Sequence, residues 1–236
     1  DVEQAEEALK EHSRLLTLLN QAGRALTSTL DLDEVLGTLL SEIRHLLDVV
    51  GASVWLIDPQ TQELYCRQAT GPKSDVVRDW RLKPGEGIAG HVAQHGKSLI
   101  VDDIWADDRH YERLDRRTGL DLRSILTVPL RVKDVVIGVL QVVDSRYDRF
   151  SKFDQTLVES LAAAAAIAIE NAKLYEQARQ DAETKSILLR EVNHRVKNIL
   201  TAIVGLLYTE QRHAAADKRA AYQPMLQNLI TRVQGV

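Results

Sequence analysis

The amino-acid sequence predicts an α+β fold: an antiparallel sheet with flanking helices, then a long coiled-coil helix and a helical hairpin. Two observations predict this order. Between residues 51 and 143 the apolar pattern has the short period and the β-branched residues of strands. From Ser151 onwards neither proline nor glycine occurs before Gly205, which favours one long helix. Helices that cover an antiparallel sheet form an α+β domain.

Composition excludes several classes of protein. The 236 residues, 44% of them hydrophobic, suffice for one medium domain with an extension. The 30 basic and 34 acidic residues give a net charge of -4. Basic residues do not interleave with aromatic ones, so we expect no nucleic-acid partner. A single cysteine, Cys66, excludes an internal disulfide and suits a reducing compartment.

No membrane span is expected, because the longest apolar run, residues 161–169, is far shorter than the roughly 20 residues that cross a bilayer. The acidic N-terminus does not resemble a signal peptide. We therefore expect a cytoplasmic protein.

Two helices are predicted before the sheet. Apolar residues recur at helical spacing from Val2 to about Leu26. The same pattern returns from Leu32 to Leu47, behind Asp31 as an N-cap.

Two hairpins are predicted within the sheet. The segments 51–58 and 63–70 flank the turn-like sequence D-P-Q-T. The segments 124–132 and 135–143 are rich in β-branched residues and meet at Lys133-Asp134.

The segment between the hairpins is less regular. The glycine-punctuated residues 84–96 predict a loop and a short helix from Ile88 to Gln94, and a strand follows in S-L-I-V-D-D. Residues 102–119, rich in Asp and Arg, are interpreted as irregular.

This order of elements, with the motifs G-I-A-G-H-V-A, S-L-I-V-D-D and I-G-V-L-Q-V-V-D, resembles a GAF domain over residues 15–175. GAF domains are small-ligand sensors of signalling proteins. The resemblance implies a pocket on one face of the sheet, lined by the Asp-rich segment and the short helices, for an unidentified small ligand.

The resemblance does not extend to the known ligand chemistries of the family. Cyclic-nucleotide-binding relatives carry Asn-Lys, Phe and Asp-Glu, where this chain has Asp144-Ser145, Phe150 and Asp154-Gln155. Cys66 lies within a predicted strand, so a buried hydrophobe is favoured over covalent chromophore attachment. Reduction of methionine sulfoxide requires two cysteines.

His91 and His95 have the spacing of two zinc ligands on one helix face. No acidic residue accompanies them as in H-E-x-x-H, and Gly96 ends the helix. We interpret them as a surface pair or as pocket residues, and we expect no metal site.

The long helix begins with a capping box formed by Ser151 and Asp154. Its apolar positions keep a seven-residue repeat, which predicts a left-handed coiled coil with a parallel second copy and therefore a homodimer. We call these positions the seam. They are Leu157, Leu161, Ala164, Ala168, Asn171, Tyr175, Ala178, Ala182, Lys185, Leu189, Val192, Val196, Ile199, Ile203 and Leu206.

His194 occupies the heptad position furthest from the seam. On the residues alone, an ordinary solvated histidine and a nucleophilic imidazole both fit this position. Arg195 and Lys197 would balance the charge of a phosphoryl group.

The sequence L-L-R-E-V-N-H-R-V-K-N-I-L resembles the phosphoacceptor helix of sensor histidine kinases of the H-R-x-K-N type, close to the HWE kinases. The resemblance implies that His194 is phosphorylated and that Asn198 orients a water molecule during dephosphorylation. Arg195 stands where the commoner kinases have an acidic residue.

A polar linker is predicted after Tyr208, followed by a second helix that begins near Pro224. Two such helices from each copy would form a four-helix dimerisation bundle. We therefore divide the chain into an N-terminal signalling helix (1–14), a GAF domain (15–175) and a dimerisation and phosphotransfer region (176–236).

No ATP-binding motif is found, so we expect no cofactor in this chain and no autophosphorylation by it alone. ATP would act through a separate histidine kinase ATP-binding domain, and a response regulator would receive the phosphoryl group. The alternative is a non-enzymatic GAF dimer that uses the coiled coil as a scaffold. A redox or hydrolytic enzyme in the pocket lacks an identifiable nucleophile and base.

Overall fold

The computed structural model describes residues 32–213 and four further residues, Pro224, Gln227, Asn228 and Thr231. The predicted helix over residues 2–26 and the proposed cap Asp31 lie outside the described residues. The four later residues are helical, in the segment where a second helix is predicted.

The described elements alternate between short helices and strands before one long helix. In chain order they are α1 (Leu32–Leu47), β1 (Gly51–Ile57), β2 (Leu64–Thr70), α2 (Ser74–Val77), β3 (Arg81–Leu82), α3 (Gly87–His95), β4 (Leu99–Val101), a 3₁₀ turn (Ile104–Ala106), α4 (Glu112–Thr118), β5 (Ser124–Val132), β6 (Val135–Asp144) and α5 (Lys152–His213).

The six strands form one sheet in the order β3-β2-β1-β6-β5-β4, and each of its pairs is antiparallel. Both predicted hairpins are present. In the second, Val132 pairs with Val135 across a tight turn, and Lys133 takes a positive φ of 55°. The predicted α+β class is confirmed.

One face of the sheet carries the main core. Because side chains alternate along a strand, Val54 and Leu56 of β1 point to this face together with Leu140 and Val142 of β6. The apolar stripes of α1 and of residues 157–169 of α5 cover them. The opposite face holds two smaller apolar clusters beneath α3, α4 and the 3₁₀ turn.

Two parts of the predicted element order are corrected. Residues 102–119 are not irregular throughout, since they contain the 3₁₀ turn and α4. Five of the seven residues of α4 are charged, so no apolar stripe marks it in the sequence. The short elements α2 and β3 were not predicted.

The long helix begins as predicted. The backbone N–H of Ser151 donates to Asp154 Oδ2 at 2.8 Å, and the N–H of Asp154 donates to Ser151 Oγ at 3.2 Å. The helix continues through His213, so the prediction of a linker from residue 209 is wrong for residues 209–213.

The start of the predicted seam is also wrong. Leu157 and Leu161 are buried in the main core, so they pack on the sheet of their own chain and not on a second copy, and Ala168 is only 7% exposed within that chain. Contacts between residues divide the chain into two compact units, up to Lys173 and from Leu174. The seam positions of the second unit remain solvent-exposed in the single chain. Among the described residues, no helix is both long and apolar enough to span a bilayer.

Candidate functional site

His194 lies on α5 within the second unit, and its side chain is solvent-exposed. Lys197 and Asn198, three and four residues later, are its neighbours on the helix surface and are also exposed. Arg190 and Glu191, four and three residues earlier, are neighbours by the same rule, so a phosphoryl group on the imidazole would have two cations, one amide and one carboxylate within the same patch of the helix.

Arg195 follows His194 directly, and consecutive residues of a helix do not face each other. Its Nε donates to Glu191 Oε1 at 2.8 Å, and both side chains are more than half exposed. Such a solvent-exposed pair contributes only about 0.3–0.5 kcal/mol. The ion pair therefore directs Arg195 towards the preceding turn without fixing it there.

The second unit also exposes a row of large apolar side chains. Exposed fractions run from 41% at Val196 to 67% at Leu206. The seam members of this row are Tyr175, Leu189, Val192, Val196, Ile199, Ile203 and Leu206. A row this long on one helix is typical of a surface that another helix covers.

The first unit contains a cavity of about 100 Å³ on the face of the sheet opposite α1 and α5. Its floor is formed by β1 and β6, and its walls by α3, α4 and the 3₁₀ turn. We call it the sheet pocket. Its walls include the Asp-rich segment and the short helices, as the family resemblance implied.

A buried pair of hydrogen-bonded side chains lies in the wall of the sheet pocket. His110 Nε2 and Asp115 Oδ2 are 2.5 Å apart, and the two side chains are 9% and 10% exposed. Burial raises the pKa of Asp115, and the hydrogen bond with His110 opposes that rise. The edge of Trp105 contacts the His110 ring, with the ring centres 4.7 Å apart.

This pair is not among the residues predicted from the sequence, because the pattern of residues 102–119 predicts an irregular segment. Residues five positions apart in a coil need not meet. The turn that starts α4 brings them together, since the backbone N–H of His110 donates to Asp107 O at 2.9 Å just before the helix. The local sequence signal for α4 is Gly119, which ends the helix in a left-handed conformation with a φ of 68°.

Cys66 is fully buried in β2, as predicted. Its Sγ lies 3.6 Å from the carbonyl oxygen of Gln68. Burial raises the pKa of the thiol to about 12, so the thiolate form is scarce at neutral pH. A nucleophilic or redox role for Cys66 is therefore disfavoured.

The rings of His91 and His95 stack with their centres 4.1 Å apart, and His95 Nδ1 lies 2.9 Å from the backbone carbonyl of His91. One ring nitrogen of His95 is thus engaged by the helix itself. Among the described residues, no group of three or more His, Cys, Asp or Glu side chains is arranged to hold a metal ion.

Two family models match the chain. A GAF domain model matches residues 29–170, and a histidine kinase model matches residues 191–236, the segment that contains His194.

Curated relatives include a probable 3',5'-cyclic phosphodiesterase, pde-5, of Caenorhabditis elegans, 28% identical over 73% of this chain. A dual 3',5'-cyclic-AMP and -GMP phosphodiesterase 11A of Takifugu rubripes is 32% identical over 46% of it. The chain spans 25% and 12% of those proteins, respectively.

Similar solved structures include the GAF domain of a phosphoenolpyruvate-protein phosphotransferase from Coxiella burnetii, with a TM-score of 0.64 and 21% identity. The alignment covers 69% of this chain and 96% of the Coxiella burnetii chain. Free methionine-R-sulfoxide reductase from Neisseria meningitidis has a TM-score of 0.59 and 20% identity. That alignment covers 68% of this chain and 91% of the reductase chain. At these identities the likeness shows the fold alone.

Proposed function

Because this chain belongs to the GAF domain family and continues into a histidine kinase segment, we propose that its GAF domain controls phosphorylation of His194. The phosphoryl group then passes to an aspartate of a response regulator. The chain thus acts as the sensing and phosphoacceptor portion of a two-component sensor histidine kinase.

The exposure of His194 inside the matched segment carries this proposal. A phosphoacceptor must reach the γ-phosphate of ATP in one protein and an aspartate in another, so its ring has to be open to solvent. A neutral imidazole nitrogen with an available lone pair is a competent nucleophile. Lys197 provides a cation three residues along the helix, which favours the phosphorylated state.

The chemistry involves two transfers. One ring nitrogen of His194 attacks the γ-phosphorus of ATP, a P–N bond forms, the bond to the β-phosphate oxygen breaks, and ADP leaves. A carboxylate oxygen of the regulator then attacks the same phosphorus, and the P–N bond breaks. A histidine kinase ATP-binding domain, on the same polypeptide or supplied separately, holds the ATP. The amide of Asn198, four residues after His194, would orient a water molecule for dephosphorylation.

Dimerisation is part of the same proposal. The exposed apolar row of the second unit is the surface that a parallel second copy would cover. Six of its members, from Leu189 to Leu206, alternate steps of three and four residues. His194 lies at the heptad position opposite this row, so pairing of two copies would leave its ring accessible.

The test is transfer of labelled phosphate from ATP to this chain in the presence of a cognate ATP-binding domain. We expect an acid-labile, base-stable label, which indicates a phosphoramidate. His194→Gln should abolish it, whereas His45→Gln should not, because His45 is an exposed helical histidine outside the matched segment. Asn198→Ala should keep the label and slow its loss.

A label that survives in His194→Gln would refute the assignment of His194. A chain that dimerises but accepts no phosphate from any cognate kinase domain would favour the alternative of a GAF dimer with a scaffolding coiled coil.

A further inference from the structure

We infer that the sheet pocket selects a small, uncharged and mostly apolar molecule. This inference rests on the proposed sensing role of the GAF domain and specifies the chemistry of its signal.

The charge of the pocket wall is the first argument. Among the described residues, no lysine or arginine lines the pocket, and the titratable lining side chains are His110, Tyr111 and Asp115. His110 and Asp115 hydrogen-bond to each other, so the imidazole already faces the one carboxyl group among these side chains. An anion entering this wall would lose its hydration without gaining a cation, which is strongly unfavourable.

The basic residue closest to His110 in sequence does not alter this balance. Arg109 binds the carboxylate of Asp107 through both Nε and Nη2, at 2.8 and 2.6 Å, and does not line the pocket. Its charge is compensated locally. The part of the wall that the structure describes therefore offers no lysine or arginine to a phosphate or carboxylate ligand.

The polar side chains of the floor are the second argument. Trp55 Nε1 donates to Ser53 Oγ at 2.9 Å, and Gln141 Nε2 donates to Thr127 Oγ1 at 3.1 Å. These donors are satisfied by the protein itself. A ligand that offers many hydrogen-bonding groups would find few partners there, so an apolar body with one or two polar groups fits best.

Size is the third argument. The volume of about 100 Å³ is below the roughly 300–1,000 Å³ of pockets for drug-sized ligands. It is closer to the apolar cavities that accept benzene. The ring of Trp55 and the half-buried Tyr111 provide aromatic surface for a planar guest. A molecule of one or two rings comes far nearer to this volume than a nucleotide does.

The test compares indole with indole-3-carboxylate, which has the same ring and a negative charge, by isothermal titration calorimetry on the purified chain. We expect saturable binding of indole and at least tenfold weaker binding of the anion. Ala89→Phe, which fills the pocket from α3, should weaken indole binding at least tenfold. Ala163→Phe, on the exposed face of α5, should leave it unchanged.

Ala89 is buried, so a second filling variant, Ser74→Phe at a half-buried lining position, keeps the test decisive if Ala89→Phe does not fold. Equal or tighter binding of the anion would overturn the inference. So would binding of cyclic GMP without binding of indole, or the absence of saturable indole binding.

Labelling of His194 is measured on the same preparation. A chain that is phosphorylated on His194 but does not bind indole refutes only the ligand class. A chain that binds indole but is never phosphorylated refutes only the proposed kinase function.

Discussion

Replacing Ile199 by aspartate is expected to weaken dimerisation of this chain. The side chain is 60% exposed on α5 and belongs to the apolar row that the proposed second copy covers. Full burial of an isoleucine stabilises by about 1.5–3 kcal/mol, so burial of the exposed part contributes about 1–2 kcal/mol per copy. Both copies lose it in the variant, which amounts to a roughly 30- to 1,000-fold rise in the dimer dissociation constant.

The measurement is sedimentation equilibrium over a range of protein concentrations, for the wild type and for two variants. Thr201→Asp is the matched control, because it introduces the same charge two residues further along the same helix, at an exposed position opposite the row. Helix propensity and net charge change comparably in both variants. Only Ile199→Asp places a carboxylate in the interface.

Equal dissociation constants for Ile199→Asp and wild type would refute the reasoning, because the exposed apolar row would then not be the interface. Equal weakening by both variants would show that charge on the helix, and not burial of the row, controls association. Circular dichroism of each variant excludes loss of the helix as the cause.

Three further predictions concern the stability of the fold. Gly138→Ala should lower the free energy of unfolding by more than about 1 kcal/mol, because the new Cβ would lie 2.1 Å from the backbone oxygen of Trp55. Gly205→Ala should raise it by up to about 1 kcal/mol, because no described atom lies within 4 Å of the new Cβ and alanine favours the helix. Thermal unfolding of both variants measures these changes. Cys66 should resist a thiol reagent until the protein unfolds. The pKa of the Cys66 thiol rises from 9.0 to about 12 on folding. The contribution of the buried neutral thiol to the free energy of unfolding is therefore present below pH 9 and is lost at about 1.4 kcal/mol per pH unit as pH rises from 9 towards 12. Cys66→Ala should reduce this slope in denaturant titrations at different pH values. Asp154→Ala should cost about 1 kcal/mol by removing the capping box, measured as a lower urea midpoint.

The sheet could be predicted because its signals are local. The β-branched run around Val139 and the two-residue turn at Lys133 both fix the second hairpin without reference to the rest of the chain. The capping box at the start of α5 is equally local, since Ser151 and Asp154 satisfy each other three residues apart.

The seam could not be assigned correctly from its period. A helix packed on a sheet and a helix paired with another helix both need apolar residues every three or four positions, so the repeat is the same in either environment. Leu161 and Ile199 share the pattern, yet the first is 3% exposed and the second 60%. The two environments differ only in the sheet that lies beside residues 157–169. The position of that sheet depends on contacts between residues that are distant in sequence.

The His110–Asp115 pair was unpredictable for a different reason. Its identity as a pocket feature depends on α4, whose seven residues include five charged ones and therefore give no amphipathic signal. The direction of His194, the proposed phosphoacceptor, could be predicted because a heptad register assigns every residue a direction. His194 could be placed away from the seam by counting alone.

Because side chains alternate along β1 and β6, adjacent residues of each strand face the sheet pocket on one side and the helix-covered core on the other. Ser53 and Gln141 line the pocket, while their chain neighbours Val54 and Leu140 belong to the core that α5 covers, and Val54 pairs directly with Leu140. A ligand that displaces either strand by a fraction of an ångström must therefore move core residues packed against residues 157–169, because a close-packed core transmits displacement. If the proposed sensing role holds, ligand occupancy is therefore expected to act on residues 157–169 of α5 through this strand pair, without any rearrangement of the strand order.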